Sequence, residues 1–132
     1  MMDDRLKVAG WIKEGNIYEV NVRQYTPEGS CRAFAAHLLR LQQMGVEIIW
    51  FMPITPISLV KRLSTLGSYY AASDYTTINP EFGTLDDFRS VVQQAHNLGI
   101  KVLIDWVANH TGWDNHWTME HPEIYKKNTL VV

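Results

Sequence analysis

The sequence of 132 residues has a single cysteine, no long hydrophobic run and almost no excess of charge of either sign. Because Cys31 has no second cysteine to pair with, a scaffold held together by internal disulfides is excluded. No stretch approaches the ~20 consecutive apolar residues that a membrane-spanning helix requires. The formal net charge of -2, with scattered Lys and Arg, excludes a nucleic-acid surface or a polybasic membrane patch as the expected function.

Several motifs of common enzyme classes are also missing. The sequence contains no Gly-rich phosphate loop and no Gly-x-Ser-x-Gly nucleophile elbow. The acidic residues 1–5 are followed by no long apolar run, so no signal peptide is predicted and the chain as given is expected in the cytoplasm.

The composition that remains is that of a globular protein. Hydrophobic residues make up 46% and charged residues 20% of the chain, and its length is that of one ordinary domain. Residues 1–15 are mostly polar with Trp11 and Ile12 interspersed, which predicts a lead-in segment that packs against the domain.

Hydrophobic periodicity predicts three strands and two helices. Alternating or continuous apolar residues predict strands near residues 17–22, 47–52 and 101–105. Apolar residues at helical spacing predict helices near residues 33–44 and 85–98.

The two helix-to-strand junctions repeat each other. Residues 44–49 and 98–103 match position by position in chemical type, with Gly45 and Gly99 as the residues that end the helices. This order of elements requires parallel strands joined by right-handed crossovers. A doubly wound sheet and a (β/α)8 barrel both fit, and periodicity does not choose between them.

The third predicted strand carries polar residues at its carboxyl end. Its near-continuous apolar run predicts a strand buried on both faces of a parallel sheet. Asp105 ends the run, and Asn109 and His110 follow. Ligand chemistry collects at the carboxyl ends of such strands, so these residues are candidates for a site.

The segment between the second strand and the second helix, residues 53–83, is a second candidate for function. It is much longer than the ~2 to 6 residues of an ordinary connection in such folds. Aromatic side chains, which can contact sugar rings, are dense in it and after the third strand. They are Tyr69, Tyr70, Tyr75, Trp106, Trp113 and Trp117. Several, Trp106 among them, are expected to serve core or rim packing instead.

The residue types after the third strand are compatible with two kinds of metal site. Zinc ligands are available in His110, Asp114, His116 and His121, but their spacing matches no compact helical pair such as His-Glu-x-x-His. A calcium site that uses the amide oxygen of Asn109 is favoured over zinc, because hard cations prefer oxygen ligands.

The pattern Asp-x-Val-x-Asn-His at residues 105–110 resembles the first signature region of the α-amylase family of glycoside hydrolases. The similarity extends over most of the chain, from about Ile17 to Tyr125. Residues 17–19 and 45–53 resemble the first two barrel strands of the family, and residues 67–75 with 79–84 resemble the segment that enters its second helix.

This resemblance implies a fold for the whole chain. Residues 1–132 would form a partial α-amylase-type catalytic domain of the α/β class, comprising the first three β/α units of a (β/α)8 TIM barrel. Residues 106–132 would begin the insertion that follows the third strand.

The resemblance also implies roles for four residues. Tyr70 would stack on the sugar ring beside the scissile bond, and His110 would bond a hydroxyl of that sugar. Asp105 would orient the active-site network in a supporting role. Asn109 would help to hold a structural calcium ion where the family has one. The implied partner is an α-glucan oligosaccharide or polysaccharide.

The catalytic pair of the family is missing from the sequence. Retaining glycosidases need two carboxyl groups ~5 to 5.5 Å apart. In the family these are an Asp in a Gly-x-Arg-x-Asp motif and a later Glu, and neither motif occurs here. Glu120 and Glu123 are the nearest substitutes, and their sequence context does not support that role.

We therefore expect a fragment of an enzyme acting on α-linked glucans, inactive alone because nucleophile and acid/base are absent. A non-catalytic sugar-binding piece and a non-functional remnant are the alternatives. Three strands leave unpaired edges, which predicts self-association and marginal stability.

Overall fold

The computed structural model describes residues 9–127, which form a three-stranded parallel sheet and a layer of helices. The strands are β1 (Ile17–Val20), β2 (Ile48–Phe51) and β3 (Lys101–Ile104). The helices are α1 (Val22–Tyr25), α2 (Cys31–Ala35), α3 (Leu38–Gln43), α4 (Leu85–Asn97) and α5 (Trp117–Glu120), and single 3-10 turns cover Gly10–Ile12, Pro80–Phe82 and Pro122–Ile124. None of the helices in residues 9–127 has the length and apolar content needed to cross a bilayer.

The sheet order β1-β2-β3 follows the order of the strands along the chain. All pairings are parallel, and Val20, Phe51 and Ile104 lie side by side at the carboxyl ends of the three strands. The segments that leave these strands therefore start from one edge of the sheet, which is where ligand sites form in parallel α/β folds.

Residues 33–44, predicted as one helix, contain a break between α2 and α3. The His37 amide donates to the Phe34 carbonyl at 2.9 Å, a bond to the third preceding residue that tightens the turn and interrupts the α-helical pattern. The apolar stripe continues across the break, since Phe34, Leu38 and Leu41 are all buried. Periodicity alone does not detect such a break.

The two helix-to-strand junctions are alike in the structure, as their sequences predicted. Gly45 and Gly99 both have positive φ, and the residue after each donates its amide to a carbonyl five residues back, Val46 to Leu41 at 3.0 Å and Ile100 to Ala95 at 2.9 Å. This is the pattern of a Schellman helix end. Each junction sends the chain directly from its helix into the next strand.

The helix α4 begins with a reciprocal cap. The Thr84 hydroxyl accepts from the Asp87 amide at 3.2 Å, and the Asp87 carboxylate accepts from the Thr84 amide at 2.9 Å. Two of the amides left free at a helix start are thereby satisfied. The Thr84 amide, then Arg32 and the Thr84 hydroxyl, donate to the Asp87 carboxylate and hold its pKa below the usual range.

The core lies between the sheet and the helices, with Phe51 of β2 at its centre. Its ring makes edge-to-face contacts with Phe34 of α2 and Phe88 of α4, both with ring centres 5.4 Å apart. All three side chains are buried. One strand residue thus joins both α2 and α4 to the sheet.

The expectation that β3 is buried on both faces is wrong. Leu103 is 40% exposed and Ile104 is 49% exposed. The reason is that β3 pairs only with β2, and within residues 9–127 no strand pairs with its outer edge. In the central strand β2, by contrast, three of the four side chains are buried and the fourth is half-buried.

Candidate functional site

The long segment after β2 folds back on itself before it reaches α4. Ile57 and Ala72 form an isolated antiparallel bridge, supported by bonds from the Ser58 amide to the Ala71 carbonyl at 2.8 Å and from the Ser73 amide to the Pro56 carbonyl at 2.9 Å. The bridge brings Tyr70 back to the carboxyl ends of the strands.

The segment after β3 docks on this loop. The Gly112 amide donates to the Ala72 carbonyl at 2.8 Å, and the buried Asn115 side chain donates to the same carbonyl at 3.2 Å. The Asp114 carboxylate accepts from the amides of Leu59 at 2.8 Å and Val60 at 3.2 Å. The two loops therefore form one wall, and no residue pattern in the sequence indicates this connection.

Tyr70 and Asp105 are in direct contact. The Tyr70 hydroxyl donates to the Asp105 carboxylate at 3.0 Å, and both residues are half-buried. Partial burial and the adjacent carboxylate raise the pKa of the Tyr70 phenol, so the hydroxyl keeps its proton at neutral pH and remains a donor. The Asp105 amide donates to the Phe51 carbonyl at 2.9 Å, which extends the sheet bonding up to the carboxylate.

The His110 side chain contacts the backbone of Tyr70. Its Nε2 atom lies 3.1 Å from the Tyr70 carbonyl oxygen. A carbonyl oxygen can only accept, so Nε2 carries the hydrogen in this contact, and in the neutral imidazole Nδ1 is then an acceptor. The structure thus brings together Tyr70, Asp105 and His110, three of the four residues singled out from the sequence.

Tyr75 holds the turn between Asp105 and His110. Its hydroxyl lies 2.7 Å from the Val107 carbonyl and 2.5 Å from the His110 carbonyl. The sequence marked Tyr75 only as one of several aromatic residues. Its bonding could not have been found there, because the two acceptors are backbone atoms more than thirty residues away.

Asp74 organises its own loop. Its carboxylate accepts from the Thr76 amide at 2.8 Å, the Thr76 hydroxyl at 2.7 Å and the Thr77 hydroxyl at 3.2 Å. Burial raises the pKa of Asp74, but these hydrogen bonds outweigh that effect and the pKa is lowered overall. The carboxylate is therefore fixed as an acceptor within the loop that carries Tyr75.

A shallow pocket lies at the centre of this grouping. Its lining residues come from both loops and include Pro53, Tyr69, Tyr70, Tyr75, Asp105 and Trp106. Its cavity volume is ≈ 10 Å³, room for about one water molecule, which is far below the about 300–1,000 Å³ of complete small-molecule sites. The pocket offers aromatic faces and a carboxylate, and the His110 imidazole lies beside it against the Tyr70 carbonyl.

Of the other aromatic residues, Trp106 and Trp113 lie at the rim. Trp106 is 66% exposed, with its ring edge-to-face to Tyr75, so it is not a core residue. Trp113 is also exposed, and the Lys61 ammonium lies 4.1 Å from its ring centre. Tyr69 stacks under Arg23, which in turn forms a two-bond ion pair with Glu81.

The proposed role of Asn109 in calcium binding stays a prediction. Asn109 is exposed, and in the described range no group of three or more His, Cys, Asp or Glu side chains is arranged to hold a metal. Calcium takes about 6–8 oxygen ligands, of which one amide oxygen is a small part. The prediction that Asn109 helps to hold calcium therefore depends on ligands other than these residues. The zinc alternative gains no support from the same region.

Glu120 and Glu123 do not have the surroundings of a catalytic acid. Both are exposed, and each faces a histidine. The Glu120 Oε2 atom lies 3.8 Å from His116 Nε2, and the Glu123 Oε1 atom lies 3.2 Å from His121 Nδ1. The pKa of Glu123 is lowered by its own backbone amide and then by His121. A general acid needs a raised pKa, so the lowered pKa of Glu123 opposes that role.

Comparison with known proteins gives one consistent family. The model of the alpha amylase catalytic domain matches residues 13–129. Among curated proteins, trehalose-6-phosphate hydrolase of Escherichia coli (strain K12) is 33% identical over 115 residues, covering 83% of this chain and 20% of that protein. Alpha-amylase SusG of Bacteroides thetaiotaomicron is 44% identical over 80 residues, covering 61% of this chain and 10% of that protein.

Solved structures agree with this result. An alpha-amylase from Lactobacillus plantarum superimposes with a TM-score of 0.84 at 44% identity, covering 88% of this chain and 28% of that one. A maltogenic alpha-amylase from Thermotoga neapolitana gives a TM-score of 0.86 at 37% identity, covering 90% of this chain and 29% of that one. The chain thus spans less than a third of each of these four proteins.

Proposed function

The chain belongs to the α-amylase family of glycoside hydrolases, and on that premise we propose that it supplies one sugar-binding wall of a catalytic domain acting on α-linked glucans. The observation that carries the proposal is the grouping of Tyr70, Asp105 and His110 at the carboxyl end of the sheet. In the complete domain the reaction would be hydrolysis with retention through a covalent glycosyl-enzyme intermediate.

The proposed architecture follows from the same premise. Residues 1–132 would be a partial catalytic domain, in which β1, β2 and β3 are the first three strands of a (β/α)8 barrel. The parallel sheet, whose strand order follows the chain order, supports this arrangement. The residues from 106 onward would begin the insertion after the third strand.

Each residue of the wall has a proposed part in sugar binding. The Tyr70 ring would stack on the sugar at the subsite beside the scissile bond, held in orientation by its bond to Asp105. His110 would exchange a hydrogen bond with a hydroxyl of the same sugar. Asp105 would be a supporting residue, because its carboxylate is engaged by the Tyr70 hydroxyl.

The chemical step needs groups that this sequence does not contain. Nucleophilic attack and proton transfer to the leaving oxygen require two carboxyl groups across the scissile bond. The family motifs that carry them are not in the 132 residues. We therefore propose that the chain alone has no glycosidase activity. Sequencing the gene beyond the codon of Val132 for Gly-x-Arg-x-Asp tests whether the complete domain is encoded.

Replacing Tyr70 tests the sugar site directly. Tyr70→Ala removes the aromatic face and the bond to Asp105, so we expect maltotriose affinity to fall about fivefold or more, since one stacked aromatic ring contributes ~1 kcal/mol or more in such contacts. Tyr70→Phe keeps the ring and should lose less. Isothermal titration calorimetry measures the binding, and urea unfolding checks that both variants remain folded.

The outcomes of that experiment separate the candidate functions. Tyr70-dependent binding without release of 4-nitrophenol from a chromogenic maltooligosaccharide is the expected result for a binding wall, and it also describes the non-catalytic sugar-binding alternative. Turnover by the purified wild-type chain that survives removal of contaminating amylase would contradict the proposed inactivity. A chain that neither folds nor binds sugar would be the non-functional remnant.

We also propose that copies of this chain associate through the outer edge of β3, where Leu103 and Ile104 are exposed. Light scattering coupled to size exclusion should show a mass that rises with concentration. Ile104→Lys should shift the sample toward monomer, because a charge on an edge strand opposes strand pairing. Leu39→Lys, at an exposed position on α3, is the matched control and should leave the mass distribution unchanged. A monomer at all concentrations would contradict the proposal.

A further inference from the structure

We infer that Tyr75 is a positioning residue for sugar binding. Its side chain fixes the turn that carries His110. The inference rests on the proposed sugar site and adds to it a residue that does not itself need to touch sugar. It is carried by two backbone contacts of one hydroxyl, by the packing of the ring and by the contact between His110 and Tyr70.

The Tyr75 hydroxyl joins the two ends of a turn. It lies 2.7 Å from the Val107 carbonyl oxygen and 2.5 Å from the His110 carbonyl oxygen, and the turn itself consists of Ala108 and Asn109. Both partners are carbonyls, which only accept, so the hydroxyl proton is shared between them. One atom thereby sets the distance between the residues on either side of the turn.

The ring of Tyr75 cannot move freely. It packs against Trp117, with ring centres 5.4 Å apart and planes tilted by 35°, and against the edge of Trp106 at 6.3 Å. Burial, and then the nearby Tyr125, raise the pKa of Tyr75, so the phenol remains protonated at neutral pH and can donate. The hydroxyl is therefore presented to the turn from a fixed ring.

The held turn determines where the imidazole lies. The His110 carbonyl is bound by Tyr75, while the ring of the same residue lies with Nε2 at 3.1 Å from the Tyr70 carbonyl. His110 is exposed, so neighbouring side chains do not confine it from all directions. Without the Tyr75 hydroxyl, the His110 carbonyl would lose this hydrogen bond. The contact between His110 Nε2 and the Tyr70 carbonyl would then be formed for a smaller fraction of the time.

The test is the single change Tyr75→Phe, which keeps the ring and removes the hydroxyl. We expect the dissociation constant for maltotriose to rise about three- to tenfold, the range given by loss of one hydrogen bond of ordinary strength. Imidazole nitrogen NMR should show His110 moving from one Nε2-protonated tautomer toward a tautomer mixture. Tyr25→Phe is the matched control, since its hydroxyl accepts from Arg40 at 2.6 Å away from this site, and it should change neither signal.

Several results would overturn the inference. Unchanged affinity together with unchanged His110 signals in Tyr75→Phe would do so. If the wild-type chain binds no maltotriose, the proposed function fails, and the His110 tautomer alone then decides the positioning role. If Tyr75→Phe does not fold, the wild-type chain still provides a test. Its Tyr75 hydroxyl proton should be protected from exchange and close in space to Val107 and His110, and a freely exchanging proton would contradict the inference.

Discussion

Phe51→Ala is expected to remove most of the free energy of unfolding of the chain. Truncating a buried aromatic residue costs about 3–5 kcal/mol, because buried surface is lost and a cavity remains. Phe51 is fully buried and contacts both Phe34 and Phe88, so the cavity would open between the sheet and two helices. Small domains have a total free energy of unfolding of about 5–15 kcal/mol, and the exposed edge of β3 argues for the lower part of that range here.

Urea unfolding followed by circular dichroism measures this effect. Leu63→Ala is the surface control, since Leu63 is 89% exposed, and its free energy of unfolding should match the wild-type value. Phe51→Leu should cost less than Phe51→Ala, because it keeps much of the buried apolar volume. A loss of less than about 1 kcal/mol in Phe51→Ala would contradict the role of Phe51 as the centre of the core.

Gly112→Ala is expected to disrupt the wall formed by the two loops. A Cβ atom at position 112 would lie 2.3 Å from the Ser58 Cβ and 2.7 Å from its hydroxyl, distances at which something must shift. The φ of Gly112 is not positive, so alanine can adopt its backbone conformation and the cost arises from contact alone. Overpacking of this kind costs about 1–3 kcal/mol. The Gly112 bond to the Ala72 carbonyl should weaken as the loops separate.

The chain provides both a control and a rescue for this prediction. Gly10→Ala meets no atom within 4 Å and also lacks a positive φ, so its free energy of unfolding should be nearly unchanged. Ser58→Gly removes the two closest obstructing atoms, and the double variant Gly112→Ala with Ser58→Gly should be more stable than Gly112→Ala alone. Thermal unfolding and exchange of the amide at position 112, which donates to the Ala72 carbonyl, measure these differences. Additive effects of the two changes would show that the proposed contact is not the cause.

The sequence predicted the three strands and α4 because their signals are local. Apolar runs identified the strand positions, helical spacing identified α4, and the glycines at 45 and 99 identified the helix ends. The break between α2 and α3 was not predicted, because both pieces continue one apolar stripe. The exposure of β3 was also missed, since an apolar run records a preference for burial and does not supply the neighbour that would provide it.

The candidate site was only partly predictable for a similar reason. Tyr70, Asp105 and His110 could be selected by type and spacing within short segments. The bonds that join these segments reach across the chain, from Tyr70 to Asp105 and from Tyr75 to the Val107 and His110 carbonyls. Backbone acceptors have no sequence identity, so no residue pattern marks them. The docking of Gly112 and Asp114 on the earlier loop is hidden in the same way.

The match between strand order and chain order has a consequence for biosynthesis. The ribosome releases a polypeptide from its amino terminus at about 5–20 residues per second, and domains form as they emerge. In this sheet β2 pairs with a strand already released, and β3 pairs with β2 in turn. No strand has to be inserted between two earlier ones. Translation and assembly therefore proceed in the same direction, and each new strand meets an edge that already exists.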